Sequence, residues 1–376
     1  MKRSRGKIRF SLLFNVTIAL LFIWLTFYIL SEFKNYLRPI VLGVLFAYFI
    51  FPVTNWLENR GVARILANIA GIVLGLAMVY GVLFFIYKES ALFLTTLPEM
   101  KHQATQNINV IFNALENMLG VTSGEIKNSV SGLIETTFSN SANFANTAFG
   151  ITFNTLFTIF VMPVYVFFLL YYRNKFKVFV LMLIPEENHH KAEVIIEEVN
   201  SVAMHYITGV FFVVTILFII NSLGFLIIGL RFAILLGLFA ALMNFIPYYG
   251  TIIGYLFPFF IAVFTMDSPE YAFWVVIQFI IVQFVENNIL TPNIVGAHVN
   301  INPFMIILAI TFGGFIWGLP GMFIAVPVVA VLRVLGENID RLKPLGFLLG
   351  KPGAEEHAVT MDKLKGVFKF KSRSKR

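Results

Sequence analysis

The sequence predicts an all-α integral membrane protein with about eight hydrophobic segments, two of them broken, and an extracytoplasmic helical insertion. Of its 376 residues, 58% are hydrophobic and only 13% are charged, whereas soluble proteins average about 45–50% apolar and about 25% charged residues. The apolar runs are continuous and do not alternate with polar residues, which favours helices over the strands of a β-barrel. The chain has no cysteine, which excludes a disulfide framework and cysteine-ligated metal sites.

Each hydrophobic segment is identified by its length, because a helix needs about 20 apolar residues to cross a hydrocarbon core of roughly 30 Å. The segments are Ser11–Leu30, Tyr36–Leu57, Ile65–Tyr87, Ile151–Tyr172, Tyr206–Leu230, Phe232–Thr265, Tyr271–Leu290 and Phe304–Leu335. No small-residue cleavage site follows the first segment, so we interpret it as a helix of the protein and not as a cleavable signal.

Basic residues predict the orientation, since cytoplasmic loops carry an excess of Lys and Arg. Five lie before residue 10, four lie between Arg173 and Lys191, and seven lie in the tail from Lys363 onward, which has no acidic residue. These three regions are predicted to be cytoplasmic. The long stretch Glu89–Gly150 has only two lysines and is predicted to be extracytoplasmic, which agrees with three crossings before it and one after it.

Four regions follow from this orientation. Residues 1–88 form the N-terminus and three transmembrane helices, 89–150 the extracytoplasmic amphipathic helical region, 151–350 the transport core with a cytoplasmic helix near 185–205, and 351–376 a basic cytoplasmic tail. The Glu and His residues near 185–205 favour a solvated helix face over a metal site. The tail is expected to attract anionic membrane lipids. No folded nucleic-acid module accompanies it, so no nucleic-acid partner is expected.

Two hydrophobic segments are too long for one ordinary span and contain helix breakers. Phe232–Thr265 is interrupted at Pro247–Gly250, and Phe304–Leu335 is interrupted at Gly318–Gly321. Each is either one long tilted span or a re-entrant hairpin, and the charge pattern does not separate the two. Such breaks line ligand sites in transporters, although glycines such as Gly313 and Gly314 are also explained by close helix packing alone.

Polar groups inside the bilayer mark functional pathways by default, because an ionised side chain there is costly. Between residues 206 and 332 the chain has four charged residues. Two of them, Asp267 and Glu270, lie in a connection, which leaves Arg231 and Glu286 within the apolar segments. Gln283, Glu286 and Asn287 are three or four residues apart, so they are predicted to share one helix face. This patch could bind a cation or carry a proton. The alternative interpretation is an interfacial helix end whose polar groups hydrogen-bond a neighbouring helix. For Arg231 the alternative is snorkelling to the interface.

The sequence lacks the motifs of energy-consuming and catalytic sites. It contains no phosphate loop, dinucleotide fingerprint or nucleophile elbow, so an ATP-driven pump, an enzyme and a bound cofactor are not expected.

Several motifs together resemble the AI-2E (autoinducer-2 exporter) family of bacterial membrane proteins. They are NFIPYYGTIIG at Asn244–Gly254, LFAYFIFPVTNWLENRG at Leu45–Gly61, Tyr206–Gly209, and a C-terminal pattern with Glu286, Asn287, Pro292, Gly296, Pro303, Gly313, Gly314, Trp317, Gly318, Gly321 and Ala325–Pro327. The resemblance implies a multi-pass transporter of the bacterial inner membrane, associated with export of autoinducer-2 or with sodium (lithium)/proton antiport, and with pentameric homo-oligomers. Many members carry Gln after the glycine at position 209, where this chain has Val210.

The leading hypothesis is a secondary transporter that exports a small polar solute such as autoinducer-2. The alternatives are a sodium (lithium)/proton antiporter and a membrane scaffold without transport. The predicted pathway residues are Glu286, Gln283, Asn287, Asn244 and Arg231. The predicted gating residues at or near the helix breaks are Pro247, Gly250, Pro292, Gly313, Gly314, Gly318 and Gly321.

Overall fold

The computed structural model describes residues 2–119, 127–129, 132, 136, 153–268, 270–295 and 301–350, and most of these residues are helical, with no strand among them. The predicted all-α membrane class is confirmed. The helices are α1 (Lys2–Glu32), α2 (Lys34–Asn59), α3 (Arg64–Leu119), α4 (Phe153–Tyr171), α5 (Arg173–Met182), α6 (His189–Ile228), α7 (Ala233–Met243), α8 (Tyr249–Thr265), α9 (Glu270–Val285), a π-helix (Glu286–Leu290), α10 (Thr291–Ile294), α11 (Pro303–Trp317), α12 (Leu319–Asn338) and α13 (Lys343–Leu349).

Among the described residues, five helical segments are long and apolar enough to cross a membrane. They are Lys34–Asn59, Arg64–Thr96, Glu186–Ile228, Glu270–Ile294 and Leu319–Asn338. Five shorter apolar helices accompany them, at Thr17–Glu32, Phe160–Tyr171, Ala233–Met243, Tyr249–Thr265 and Pro303–Trp317. The chain is therefore a multi-pass membrane protein. The basic tail at 351–376, Gly296 and most of the predicted insertion after residue 119 lie outside the described residues.

Helix α3 is much longer than a membrane span. Its 56 residues extend about 84 Å at 1.5 Å per residue, so it includes both the predicted third span and the first part of the region 89–150. Ala104 and Ile108 are buried in a small cluster with Phe112 and Phe264. The second half of α3 therefore packs against the end of α8, and we call this end of the molecule the α3 end.

The first broken segment folds back on itself as a hairpin of α7 and α8. A Cβ on Gly254 would lie 3.0 Å from the carbonyl oxygen of Ala240, whereas one continuous helix would separate these residues by about 21 Å. Both ends of this hairpin contact α3, because Arg231 pairs with Glu99 at 3.3 Å and Asn107 Nδ2 donates to the carbonyl of Met266 at 2.7 Å. The segment is thus not one long tilted span, and α7, with 11 residues, is too short to cross a bilayer.

The tip of this first hairpin has a constrained backbone. Tyr248 adopts φ 66° and ψ −59°, and the amide of Tyr249 donates to the carbonyl of Pro247 at 2.8 Å, which is a γ-turn of the rare, strained hand. A Cβ on Gly250 would overlap the carbonyl oxygen of Met243. The chain therefore reverses here only because residue 250 has no side chain.

The second broken segment also forms a hairpin, made of α11 and α12. Gly313 and Gly321 face each other so closely that a Cβ on either would overlap the carbonyl oxygen of the other, and Gly318 turns the chain with φ 67°. The ends of this hairpin lie at the opposite end of the molecule. There the amide of Asn302 donates to the carbonyl of Leu349 at 2.8 Å, and Asn338 donates to Glu198 of α6 at 2.9 Å.

The two hairpins meet inside the bundle. The rings of Phe245, at the first tip, and Phe323, near the second tip, lie edge to face with centroids 5.0 Å apart. Helix α6 supports both, since Gly237 of α7 packs on Ser222 and Val202 packs in a cluster with Val329 of α12. Two hairpins therefore enter from opposite ends and touch in the interior.

The close approach at the first tip gives a stability prediction. Gly250→Ala is expected to lower the free energy of unfolding by about 1–3 kcal/mol, the usual penalty of overpacking, because the new methyl group must displace the Met243 carbonyl. Thermal unfolding of the detergent-purified protein measures the change. Gly81→Ala is the matched control, since a Cβ there meets nothing within 4 Å. Equal midpoints for the two variants would contradict the assigned tip geometry.

Candidate functional site

The helical geometry changes at the acidic residue that the sequence singles out. Helix α9 ends at Val285 and continues as a π-helix over Glu286–Leu290, followed by α10 with Pro292 in its first turn. A proline lacks the amide hydrogen that would bond to the preceding turn. Single-turn π-helices are rare and occur frequently at functional sites, so the change marks this segment as a candidate site.

The carboxylate of Glu286 joins this segment to the tip of the first hairpin. Glu286 is only 9% exposed. Its Oε1 accepts a hydrogen bond from Asn244 Nδ2 at 2.7 Å, and its Oε2 accepts one from Gln283 Nε2 at 3.1 Å. The structure thus brings together three of the predicted pathway residues, and Asn244, 42 positions away in sequence, belongs to the turn after α7.

This carboxylate has no cationic partner among the described residues. No Lys, Arg or His of the described ranges lies within 4.0 Å of it, and its two hydrogen-bond donors are neutral amides. Keeping a buried ion in a protein without a counter-charge costs several kcal/mol. The site is therefore suited to hold either a proton or a monovalent cation, which neutralises the carboxylate in each case.

A second group of polar side chains lies in the interior beside this site, and we call it the inner polar cluster: Asn221 of α6, Tyr255 of α8 and Gln278 of α9. The hydroxyl of Tyr255 donates to Asn221 Oδ1, and Gln278 Nε2 donates to the carbonyl of Asn221 at 3.2 Å. Gln278 Oε1 is buried without a partner among the described residues. Gln278 lies on α9, the helix that leads to Glu286, so the cluster and the carboxylate share this helix.

Sequence reasoning assigned no role to any of the three members of the inner polar cluster. Asn221 and Tyr255 are uncharged and lie outside the patch around Glu286 and the two helix breaks, which guided the prediction. A usable signal existed, because Asn221 is a polar residue near the middle of an apolar run, where side chains that hydrogen-bond between helices are expected. Gly224 gave no signal of its role, which is to leave room for the carboxamide of Gln278.

The remaining predicted pathway residues do not bond the carboxylate of Glu286. Asn287 is exposed and makes no hydrogen bond to Glu286, so the predicted face of Gln283, Glu286 and Asn287 is not formed as one patch. Arg231 is about half exposed and pairs with Glu99 at the α3 end. Its place at a helix junction agrees with the snorkelling alternative, and a role in the pathway stays a prediction.

The predicted gating residues mostly form the two hairpins. Pro247 and Gly250 make the first tip. In the second hairpin, Gly314 packs against Met322 and Gly318 makes the turn. A gating movement of these residues stays a prediction.

The acidic stretch after α5 is engaged in ion pairs. Lys177 lies 3.4 Å from Glu193 and 3.3 Å from Glu197. The described residues contain no group of three or more His, Cys, Asp or Glu that could hold a metal ion.

Comparisons with known proteins agree with this architecture. A family model described as "AI-2E family transporter" matches residues 16–341. "Putative transport protein YrrI" of Bacillus subtilis (strain 168) is 29% identical over 332 residues, which cover 85% of this chain and 91% of the relative. "Putative transport protein YueF" of the same organism is 27% identical and covers 61% of this chain and 62% of its own length. A Mycobacterium tuberculosis relative, "Putative transport protein MT0215", is 24% identical over 86% of each chain.

The inner polar cluster gives a second stability prediction. Tyr255→Phe leaves Asn221 Oδ1 buried without its donor, which is expected to cost about 1–3 kcal/mol. Thermal unfolding of the purified protein measures the loss. Tyr80→Phe is the control, because Tyr80 is 69% exposed on α3. If Tyr255→Phe unfolds at the temperature of this control, the Tyr255–Asn221 hydrogen bond does not stabilise the bundle.

Proposed function

Because this chain belongs to the AI-2E family of transporters, we propose that it is a secondary transporter in which Glu286 exchanges a proton for a monovalent cation. One observation supports this most directly. The carboxylate is buried, its hydrogen-bond donors are two neutral amides, and no cationic side chain of the described residues reaches it. A buried carboxylate in this setting binds either a proton or a cation, because the bare ion is costly.

The hydrogen bonds of Glu286 provide a way for its occupant to control the first hairpin. An ionised carboxylate accepts from both Asn244 and Gln283, whereas a protonated one carries a hydroxyl that is itself a donor. Protonation therefore weakens one of the two amide contacts. If the Asn244 contact is lost, the tip of the first hairpin is released from α9, and a cation that binds the carboxylate restores the charge that held it.

The arrangement of the hairpins favours alternating access. Transporters with broken helices place the site where related segments meet, and move one part of the bundle against another around it. Here the two hairpins enter from opposite ends and touch at Phe245 and Phe323. Phe245 directly follows Asn244, the residue that bonds Glu286. A small shift at either tip is thus expected to open the site toward one side at a time.

Export of a small polar solute such as autoinducer-2 is the second candidate. The inner polar cluster favours it, since Asn221, Tyr255 and Gln278 offer amide and hydroxyl groups that suit a hydroxylated molecule. The buried, uncompensated carboxylate favours the cation exchanger. A scaffold without transport is the third alternative, in which the same groups only hold the helices together.

A flux assay in proteoliposomes tests the proposal. With a proton gradient and sodium or lithium on one side, the wild-type protein is expected to dissipate the gradient, and Glu286→Gln is expected to abolish this flux because a neutral amide neither binds the cation nor releases a proton. Glu270→Gln is the matched control, at the exposed start of the same helix.

The same assay separates the alternatives. Unchanged flux in Glu286→Gln would overturn the exchanger. Solute export predicts that cells lacking the protein retain more autoinducer-2 and that Asn244→Ala reproduces this retention. Absence of both effects would favour the scaffold.

The orientation, an inner-membrane protein with cytoplasmic termini, is also part of the proposal. The chain is naturally free of cysteine, so single cysteines report accessibility without background. A membrane-impermeant maleimide added to intact cells (spheroplasts where an outer membrane is present) is expected to label Val110→Cys, on the exposed face of α3, but not Glu187→Cys. Permeabilised cells should label both. If Glu187→Cys alone is labelled in intact cells, the proposed orientation is wrong and the termini lie outside.

A further inference from the structure

A cavity separate from the Glu286 site lies at the end of the bundle that holds Arg173. Its volume is about 560 Å³, within the range of cavities that enclose a small ligand. Helices α2, α4, α5 and α6 form it, and its walls are largely apolar, with Val44, Phe51, Leu169, Phe176, Ile196 and Met204 among the lining residues. A hydrogen bond from Tyr48 to Asn200 at 2.7 Å adds polar groups on one wall.

The outer wall of this cavity is an amphipathic helix suited to the surface of a membrane. Helix α5 carries Arg173, Lys175 and Lys177 and no acidic residue. Large apolar side chains on it are also exposed, with Phe179 at 57% and Met182 at 77%. A short helix with basic and exposed apolar residues lies in the plane of the interface. The mouth of the cavity is thus expected at the level of the lipid headgroups.

Charges of both signs surround the mouth. Lys177 lies within 3.4 Å of Glu193 and Glu197, and all three side chains are partly exposed. The hydrogen bond to Glu197 is the largest contribution that raises the pKa of Lys177, so its ammonium group stays charged. Arg173 is already engaged by both carboxylate oxygens of Glu58, at 3.0 and 2.6 Å. The rim therefore presents the ammonium of Lys177 beside two glutamates.

We propose that this cavity binds a phospholipid whose zwitterionic headgroup carries a primary ammonium, with an acyl chain held between α2, α4, α5 and α6. The headgroup phosphate accepts a hydrogen bond from Lys177, and its ammonium donates to Glu193 and Glu197. Both partners are needed, because a phosphate that draws Lys177 away leaves the two glutamates without a cation. A quaternary ammonium has no hydrogen to donate to them.

The bound lipid would strengthen contacts that reach the second hairpin. It bridges α5 and the start of α6, and this part of α6 receives the hydrogen bond from Asn338 at the end of α12. Occupancy of the cavity is therefore expected to raise the thermal stability of the whole bundle, independently of what the protein transports.

Binding of three lipids with identical acyl chains tests the proposal. Delipidated full-length protein in detergent is mixed with phosphatidylethanolamine, phosphatidylcholine or phosphatidylglycerol, and native mass spectrometry measures each affinity beside the thermal midpoint. Phosphatidylethanolamine is expected to bind about tenfold more tightly than the other two, which corresponds to about 1.4 kcal/mol. Equal affinities, or tightest binding of phosphatidylglycerol, would overturn the headgroup assignment.

Two variants locate the binding. Glu193→Gln with Glu197→Gln is expected to remove the preference for phosphatidylethanolamine over phosphatidylcholine while acyl-chain binding remains. Ile196→Trp fills the cavity and is expected to abolish binding of all three lipids. Glu270→Gln, on α9 outside the cavity lining, is the control and should behave as wild type. Retained preference in the double variant would refute the role of the glutamates, even if Ile196→Trp fails to fold.

Discussion

The hydrogen bond between Asn244 and Glu286 is the contact on which the interior of this protein depends. It joins the turn of a helical hairpin to the point where α9 becomes a π-helix, and it gives a buried carboxylate one of its two donors. Both donors are neutral, so the charge of Glu286 is solvated by amides but not cancelled. A buried acid in this state responds strongly to a proton or a cation, and in the proposed mechanism this response links its occupant to the position of the hairpin.

The two hairpins explain how a turn can exist in a region where unpaired backbone groups are costly. Irregular backbone at membrane depth is tolerated where protein groups or water surround it. In the first hairpin, Gly250 and Gly254 bring α7 and α8 into backbone contact, and in the second, Gly313 and Gly321 do the same for α11 and α12. The γ-turn at Tyr248 adds local strain, which is stored where the surrounding contacts over-determine the conformation.

Much of the candidate site was predictable, and the exceptions share a cause. Glu286 and Gln283 follow from helical spacing, and the breaks at Pro247–Gly250 and Gly318–Gly321 follow from residue type. Asn287 is exposed and does not bond the Glu286 carboxylate, so its role in the pathway stays a prediction. The choice between a tilted span and a hairpin stayed open, since the same breakers permit both. Asn221 and Tyr255 were missed because their importance comes from neighbours on other helices.

The sequence alone determined that the chain is helical and crosses the membrane. Only helices and closed barrels satisfy their backbone groups in lipid, and continuous apolar runs lack the alternation of barrel strands. It also determined where the helices break, since proline and glycine act locally. Only the tertiary structure decided that each broken run folds back, that the hairpins enter from opposite ends, and that Asn244 meets Glu286. These outcomes depend on the packing of distant helix faces, which local spacing and residue type do not specify.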